Sequence, residues 1–124
     1  MSVRNREARR ERRLATAERT AARKDADMYA RTVVMQGTPE TAEQARKIFA
    51  DSVMPAAKQQ KGFSGALFLS DPNTGKGMSI TLWETEADLK AGEGSGYLKE
   101  QIAKFGPLLV GPPTREVFVV AVKE

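Results

Sequence analysis

Apolar and polar residues follow strand-like or helix-like spacing in six segments that begin at Tyr29. Four segments rich in β-branched and aromatic residues predict strands: "YARTVVMQG", "GFSGALFLS", "GMSITLWE" and "REVFVVAV". Between the first two, "TPETAEQARKIFADSVMPAAKQ" begins with Thr38 as a helix N-cap and carries its apolar residues on one face. This pattern predicts an amphipathic helix, which Pro55 should bend or bring to the end of its regular part.

A second helix is predicted to begin after Thr85, with Asp88 in an acidic variant of the capping box, and to run to about Phe105. It contains three glycines at alternate positions: Gly92, Gly94 and Gly96. Such a string is compatible with a phosphate-binding loop, a softened helix or a flexible segment over a pocket. A phosphate loop precedes its helix and is followed by a Lys-Ser/Thr pair, and neither holds here. The position favours a helix softened by glycines.

The order strand, helix, strand, strand, helix, strand predicts an α+β fold of the ferredoxin-like βαββαβ type, with both helices on one face of an antiparallel sheet. The turn residues in "DPNTGK" predict that the second and third strands form a hairpin. The last strand, expected to extend through Val122, is apolar on both faces. Because the helices cover one face only, we expect the other to pack against an identical chain in a homodimer.

The chain of 124 residues contains no cysteine and no histidine. Thiol chemistry and disulfides are therefore excluded, and the commonest metal ligand, general base and haem ligand are missing. We expect no cofactor and no metal site. The longest apolar run, Val117 to Val122, is too short to span a membrane, and the first residues lack an apolar signal core, so a cytoplasmic location is expected.

The net charge of +4 is confined to residues 1–27, where 9 Lys/Arg face 5 Asp/Glu, whereas residues 28–124 carry 11 of each. Residues 1–27 therefore form a basic arm, helical or disordered, and residues 28–124 a single domain. Leu14 is the only large apolar side chain from Arg4 to Asp27, so the arm has no face to bury. A solvated tail, an arm for an acidic partner and packing on a partner subunit all remain open. The arginines for an acidic partner are Arg4, Arg6, Arg9, Arg10, Arg12 and Arg13.

The segment "GFSGALFLSDPNTGKGMSITLWETEADLKA", followed by "YLKEQIAKF" and "REVFVVAV", resembles the antibiotic biosynthesis monooxygenase-like superfamily of dimeric α+β barrels. The resemblance covers residues 28–124, and its most specific part is a strand that ends in Trp83-Glu84 and leads directly into an acidic-capped helix. It implies a ferredoxin-like protomer whose sheet packs on its twin, with a pocket between sheet and helices. Members include cofactor-independent oxygenases of aromatic polyketides, quinol oxygenases and haem-degrading enzymes.

The haem-degrading members use a tryptophan, an asparagine and a histidine in the pocket. Trp83 matches the tryptophan, but the chain has no histidine, and its first strand offers Thr32 and no asparagine. The resemblance therefore does not extend to haem degradation by that mechanism.

The candidate substrate-binding residues are Trp83, Tyr97, Thr81, Ser79, Thr32 and Phe68. Strand alternation places Trp83 on the same face as Ser79 and Thr81, so it either lines a cavity or plugs the end of a barrel. Tyr97 could orient a substrate hydroxyl or carbonyl, although packing is the commoner role of such a tyrosine. Two arginines near strand starts are expected to be solvated, Arg31 and Arg115. No carboxylates have the spacing of an acid–base pair, and no catalytic residue is assigned.

Two functions from different classes stay open. The first is a small dimeric α+β barrel that binds an apolar aromatic molecule and oxidises it as a cofactor-independent monooxygenase, with the substrate's own enolate or phenolate supplying the electrons. The second is a non-catalytic dimerisation module whose basic arm docks an acidic partner. The placement of the aromatic residues favours the first, whereas the scarcity of acid–base groups favours the second.

Overall fold

A computed structural model of the protein describes residues 27–124, so the predicted arm lies outside the described residues except for Asp27. The elements in chain order are β1 (Tyr29–Gln36), a 3₁₀ turn (Pro39–Thr41), α1 (Ala42–Ile48), a π-helical turn (Phe49–Val53), α2 (Met54–Lys58), β2 (Phe63–Asp71), β3 (Lys76–Trp83), α3 (Glu86–Gly94), α4 (Tyr97–Ala103), a 3₁₀ turn (Gly106–Leu108) and β4 (Thr114–Val119). None of the helices formed by residues 27–124 is long and apolar enough to cross a membrane.

The four strands form one antiparallel sheet in the order β2-β3-β1-β4. This order and the two helical segments confirm the predicted ferredoxin-like α+β fold. Arg31 of β1 pairs with Thr81 of β3, and both are buried on the sheet face that the helices cover. Their neighbours Thr32 and Ile80 also pair with each other and point to the opposite face. We call this opposite surface the open face.

The first helical segment shows the predicted start and the predicted effect of its proline. Thr38 and Thr41 form a reciprocal capping box ahead of α1, with Pro39 at the first turn. Regular α-helix ends at Ile48, and a wider π-helical turn follows before Pro55, which lies in the first turn of α2. Proline lacks an N–H and crowds the carbonyl four residues earlier, so an irregular turn before Pro55 is the expected adjustment.

The second helical segment differs from the prediction of one helix running to Phe105. The cap is as predicted, since Thr85 Oγ1 accepts a 3.0 Å hydrogen bond from the Asp88 amide. However, α3 ends at Gly94, and α4 begins only after Gly96, whose φ is +87°. A residue in the left-handed region cannot continue a right-handed α-helix. The prediction of a continuous helix was therefore wrong, and the segment is two short helices joined at Gly96.

The last strand is shorter than predicted, because β4 ends at Val119 and not at Val122. Val119 pairs with Tyr29, the first residue of β1, and the last backbone bond runs from the Val120 amide to the Met28 carbonyl at 2.9 Å. Beyond this point β1 offers no further strand to pair with, and Val122 is left 82% exposed. The length of the neighbouring strand thus sets the end of β4.

The core lies between the sheet and the first helical segment. Phe68 of β2 stacks on Phe49, with ring centroids 5.0 Å apart, and on Phe105, with centroids 6.2 Å apart. The buried residues of this cluster are Val33, Met35, Phe49, Val53 and Phe105. Two rings of this aromatic stack, Phe49 and Phe105, also line a neighbouring cavity.

Candidate functional site

A small cavity lies between the helix-covered face of the sheet and α4. Its free volume is about 30 Å³, which is room for about two water molecules. Apolar side chains such as Val33, Phe49 and Ile102 form most of its wall. The polar or charged residues that line it are Arg31, Ser79, Thr81, Tyr97 and Gln101. An apolar space with a few converging polar groups is the usual composition of a small-molecule site.

Strand pairing brings the polar groups of the sheet together. Ser79 and Thr81 are two residues apart on β3 and share its buried face with Trp83, as predicted from alternation. Register places Arg31 directly opposite Thr81. On the other side of the cavity, Tyr97 and Gln101 are four residues apart, and this spacing puts them on one face of α4.

Trp83 is fully buried and does not line the cavity itself. Its indole Nε1 donates a 2.9 Å hydrogen bond to Thr81 Oγ1. Its ring meets Phe63 and Tyr97 edge-on, at centroid distances of 5.8 and 6.5 Å. Of the two roles predicted for Trp83, lining a cavity and plugging the end of the barrel, the structure favours the second. Trp83 contacts two residues of the cavity wall, Thr81 and Tyr97, but not the cavity itself.

Arg31 was expected to be solvated, and this prediction was wrong, because only 2% of it is exposed. Its guanidinium carbon lies 5.2 Å from the centre of the Trp83 ring, and its Nη1 donates a 3.4 Å hydrogen bond to the Leu89 carbonyl. Burial lowers the pKa of Arg31, and the nearby carboxylate of Glu93 opposes this shift. The sequence did indicate this burial, since Arg31, Val33 and Met35 are at alternate positions of β1 and therefore share one face of the strand.

Glu93, near the end of α3, connects two arginines. Its Oε2 lies 3.6 Å from Nη1 of Arg31 and accepts a 2.7 Å hydrogen bond from Nη1 of Arg115. Arg115 is 46% exposed, in agreement with its predicted solvation. Two guanidinium groups therefore share one carboxylate, and this cluster carries a net charge of +1.

The α4 side of the cavity offers two uncharged donors. Burial raises the pKa of the Tyr97 phenol, with the charge of Arg31 opposing, so the hydroxyl is neutral around pH 7. Gln101 is buried, and its Oε1 accepts a 2.7 Å hydrogen bond from Lys104 Nζ, which leaves the amide NH₂ to act as a donor. Sequence reasoning missed Gln101, and its only signal was its position one turn after Tyr97.

Two more predicted site residues, in addition to Trp83, do not line this cavity. Thr32 is on the open face, where it pairs with Ile80 and Glu116, so the prediction that it faces the pocket was wrong. Thr32 directly follows Arg31 in β1, so its side chain points to the opposite face of the strand. Phe68 belongs to the aromatic core and borders a second space of about 20 Å³ rather than the cavity described above. Among residues 27–124 there is no cluster of three or more acidic side chains that could hold a metal ion.

Comparison with known proteins finds similarity in structure but not in sequence. No family model and no curated protein matches the chain. A Streptomyces coelicolor monooxygenase from the gene ActVA-Orf6, solved with nanaomycin D, superposes with a TM-score of 0.63 and 16% identity over 81% of this chain and 92% of its own. SnoaB, a cofactor-independent oxygenase from Streptomyces nogalater, superposes with a TM-score of 0.61 and 15% identity over 79% of this chain and 97% of its own.

A candidate antibiotic biosynthesis monooxygenase from Caulobacter crescentus gives a TM-score of 0.63 and 23% identity over 80% of this chain and 93% of its own. These similarities confirm, at the level of the fold, the resemblance inferred from the sequence. Residues 27–124 share the fold of these three proteins. A shared fold at such identities supports a function only through the residues of the site.

Proposed function

We propose that the protein binds an apolar aromatic small molecule in the cavity beside α4 and oxidises it as a cofactor-independent monooxygenase. The observation that carries this proposal is that polar groups line an otherwise apolar space from two sides: Tyr97 and Gln101 from α4, and the β3 hydroxyls with Arg31 from the sheet. Flat apolar rings fit the apolar walls, while the polar groups orient an oxygen substituent. The structural similarity to SnoaB and to the Streptomyces coelicolor monooxygenase supports the same class of reaction.

Binding requires the cavity to widen, because about 30 Å³ is far below the size of a small-molecule site, roughly 300 Å³ or more. The break at Gly96 supplies the freedom for this movement. Tyr97, Leu98 and Gln101 belong to α4, which is joined to α3 only through Ser95 and Gly96. A small rotation of α4 would therefore move one wall of the cavity and leave the sheet in place, with Leu98 and Ile102 shifting against the core on which they pack.

The reaction can draw all of its electrons from the substrate. A phenol such as 1-naphthol gives its hydroxyl proton to water, and the ring carbon opposite the oxygen forms a bond to O₂. The peroxide anion formed in this way takes a proton back from water. The resulting hydroperoxide then eliminates water, so that 1-naphthol and O₂ become 1,4-naphthoquinone and H₂O. Neutral donors at Tyr97 and Gln101 would stabilise the phenolate oxygen, which is the atom whose charge develops first.

A homodimer through the open faces belongs to the same proposal. Three large apolar side chains on this surface are about half exposed in the protomer: Leu67, Leu69 and Phe118, at 52, 49 and 49%. Their strands lie side by side with β3 and β1, so the exposed groups continue the partly buried row of Met78, Ile80 and Leu82. Extended apolar patches of this kind are typical of protein interfaces.

The test is oxygen uptake with 1-naphthol, together with equilibrium binding followed by Trp83 fluorescence. We expect binding and O₂-dependent formation of the quinone, with both weakened about tenfold or more in Tyr97→Phe if the hydroxyl holds the phenolate. Thr32→Val is the matched control, because it removes a hydroxyl from the open face. Binding without oxygen uptake would limit the protein to ligand binding. If the natural chain shows neither binding nor oxygen uptake, the dimerisation module, with its basic arm and acidic partner, becomes the better hypothesis.

A further inference from the structure

The charge of Arg31 is not used by the reaction described above. Arg31 lines the cavity, is 2% exposed and belongs to a cluster whose net charge is +1. A buried charge is costly unless an opposite charge pairs with it at close range. Glu93 only partly fulfils this need, since it lies 3.6 Å from Arg31 and 2.7 Å from the exposed Arg115.

The geometry of the guanidinium leaves room for a second acceptor. The hydrogen bond to the Leu89 carbonyl and the ion pair with Glu93 both involve Nη1. A guanidinium has five N–H donors in a planar fork, which fits the two oxygens of a carboxylate. No acidic residue lines the cavity within the part of the chain that the structure describes, so Arg31 belongs to a cavity wall that contains no carboxylate.

We propose that the ligand of this cavity is an aromatic carboxylate, whose acid group binds Arg31 and whose ring lies against Phe49 and Phe105. This inference rests on the proposed function, and it specifies the substrate class. The carboxylate of Glu93 already lies 3.6 Å from Nη1 of Arg31, which shows that this guanidinium pairs with a carboxylate. A monoanion balances the cluster, while the apolar wall around Phe49, Val53 and Phe105 receives the ring.

Two non-reactive probes of the same shape test this inference in the full chain: 2-naphthoate and its neutral amide, 2-naphthamide. By isothermal titration calorimetry at pH 7, we expect 2-naphthoate to bind about tenfold more tightly or better, as a charge-assisted hydrogen bond implies. Arg31→Gln should abolish this preference while 2-naphthamide still binds. Arg46→Gln is the control, because it removes an equal charge from the exposed side of α1, where Arg46 pairs with Glu43.

Glu93→Gln provides a test that does not remove the buried arginine. It takes away the competing carboxylate, so 2-naphthoate should bind more tightly than in the natural chain, and 2-naphthamide should be unaffected. Equal affinity of the natural chain for both probes would overturn the carboxylate inference and leave the proposed aromatic site intact. If neither probe binds, the proposed aromatic site itself fails, and the inference falls with it.

Discussion

The indole Nε1 of Trp83 donates its hydrogen bond to Oγ1 of Thr81, two residues earlier on the same strand, at 2.9 Å. Side chains at this separation point to the same face of a strand, so the bond can form without any help from another element. Both residues are buried, with Thr81 8% exposed and Trp83 fully covered. The bond therefore satisfies a donor that has no access to water, and it holds the indole beside Tyr97 and Arg31.

Thr81→Val should destabilise the protein, because it keeps the shape of the side chain but removes the acceptor of the Trp83 N–H. An unsatisfied buried donor costs about 1–3 kcal/mol, and thermal or urea unfolding will measure the change. Thr81→Ser retains the oxygen and is the control, with a smaller loss caused by the missing methyl group. A Thr81→Val variant as stable as the natural chain would show that the hydrogen bond from Trp83 makes no net contribution at this position.

Gly94→Ala and Gly96→Ala should change stability in opposite directions. Both glycines are exposed, and an added Cβ would meet nothing within 4 Å at either site, but only Gly96 has a positive φ, +87°. In helical backbone, alanine is favoured over glycine by up to about 1 kcal/mol. At Gly96 the left-handed conformation costs an alanine about 1–2 kcal/mol. Urea unfolding of the two variants compares them directly, and a stabilised Gly96→Ala would mean that α3 and α4 can join into one helix.

Gly92→Ala tests the packing of Tyr97 against α3. A Cβ at this position would lie 3.2 Å from Tyr97 Cδ1, so the ring must shift by a few tenths of an ångström. We expect weaker binding of 1-naphthol than in Gly94→Ala, which gains the same methyl group without a neighbour. Unchanged affinity in both variants would show that the position of the Tyr97 ring does not control the cavity.

Tyr97 should make stability fall at alkaline pH. Burial raises its pKa in the folded state, so its contribution is fully present below the unfolded value of about 10 and is lost as the pH rises through the folded pKa. The free energy of unfolding should therefore fall more steeply between roughly pH 9 and 11 in the natural chain than in Tyr97→Phe. Denaturant titrations across this range will measure both slopes. Parallel curves would mean that Tyr97 titrates like a solvated phenol.

Charges placed on the open face should break the proposed homodimer. Leu67→Asp together with Leu69→Asp puts two carboxylates where side chains are 52 and 49% exposed in the protomer. Sedimentation velocity should show dimers for the natural chain and monomers for this variant. Val110→Asp is the control, since Val110 is 64% exposed but lies in the loop before β4. A monomeric natural chain would contradict the proposal, and a dimeric double variant would place the interface elsewhere.

Local rules were sufficient for the order of the elements, the helix caps at Thr38 and Thr85, and the common face of Ser79, Thr81 and Trp83. Each of these depends on residues within a few positions of one another, where backbone geometry sets which side chains meet. The family resemblance in residues 28–124 also predicted the fold. It too depends on residues close together in sequence, namely the strand that ends at Trp83 and the start of the helix that follows.

What the sequence could not decide depends on distant parts of the chain. The end of β4 follows from where β1 begins, and the left-handed backbone at Gly96 divides the helical segment into α3 and α4. Arg31 is buried because α3 covers it and places Leu89 and Glu93 beside it, 58 and 62 positions along the chain. The charge of Arg31 alone predicts that it is solvated. Packing of α3 over the sheet instead excludes water from Arg31 and leaves a cation in the wall of the cavity.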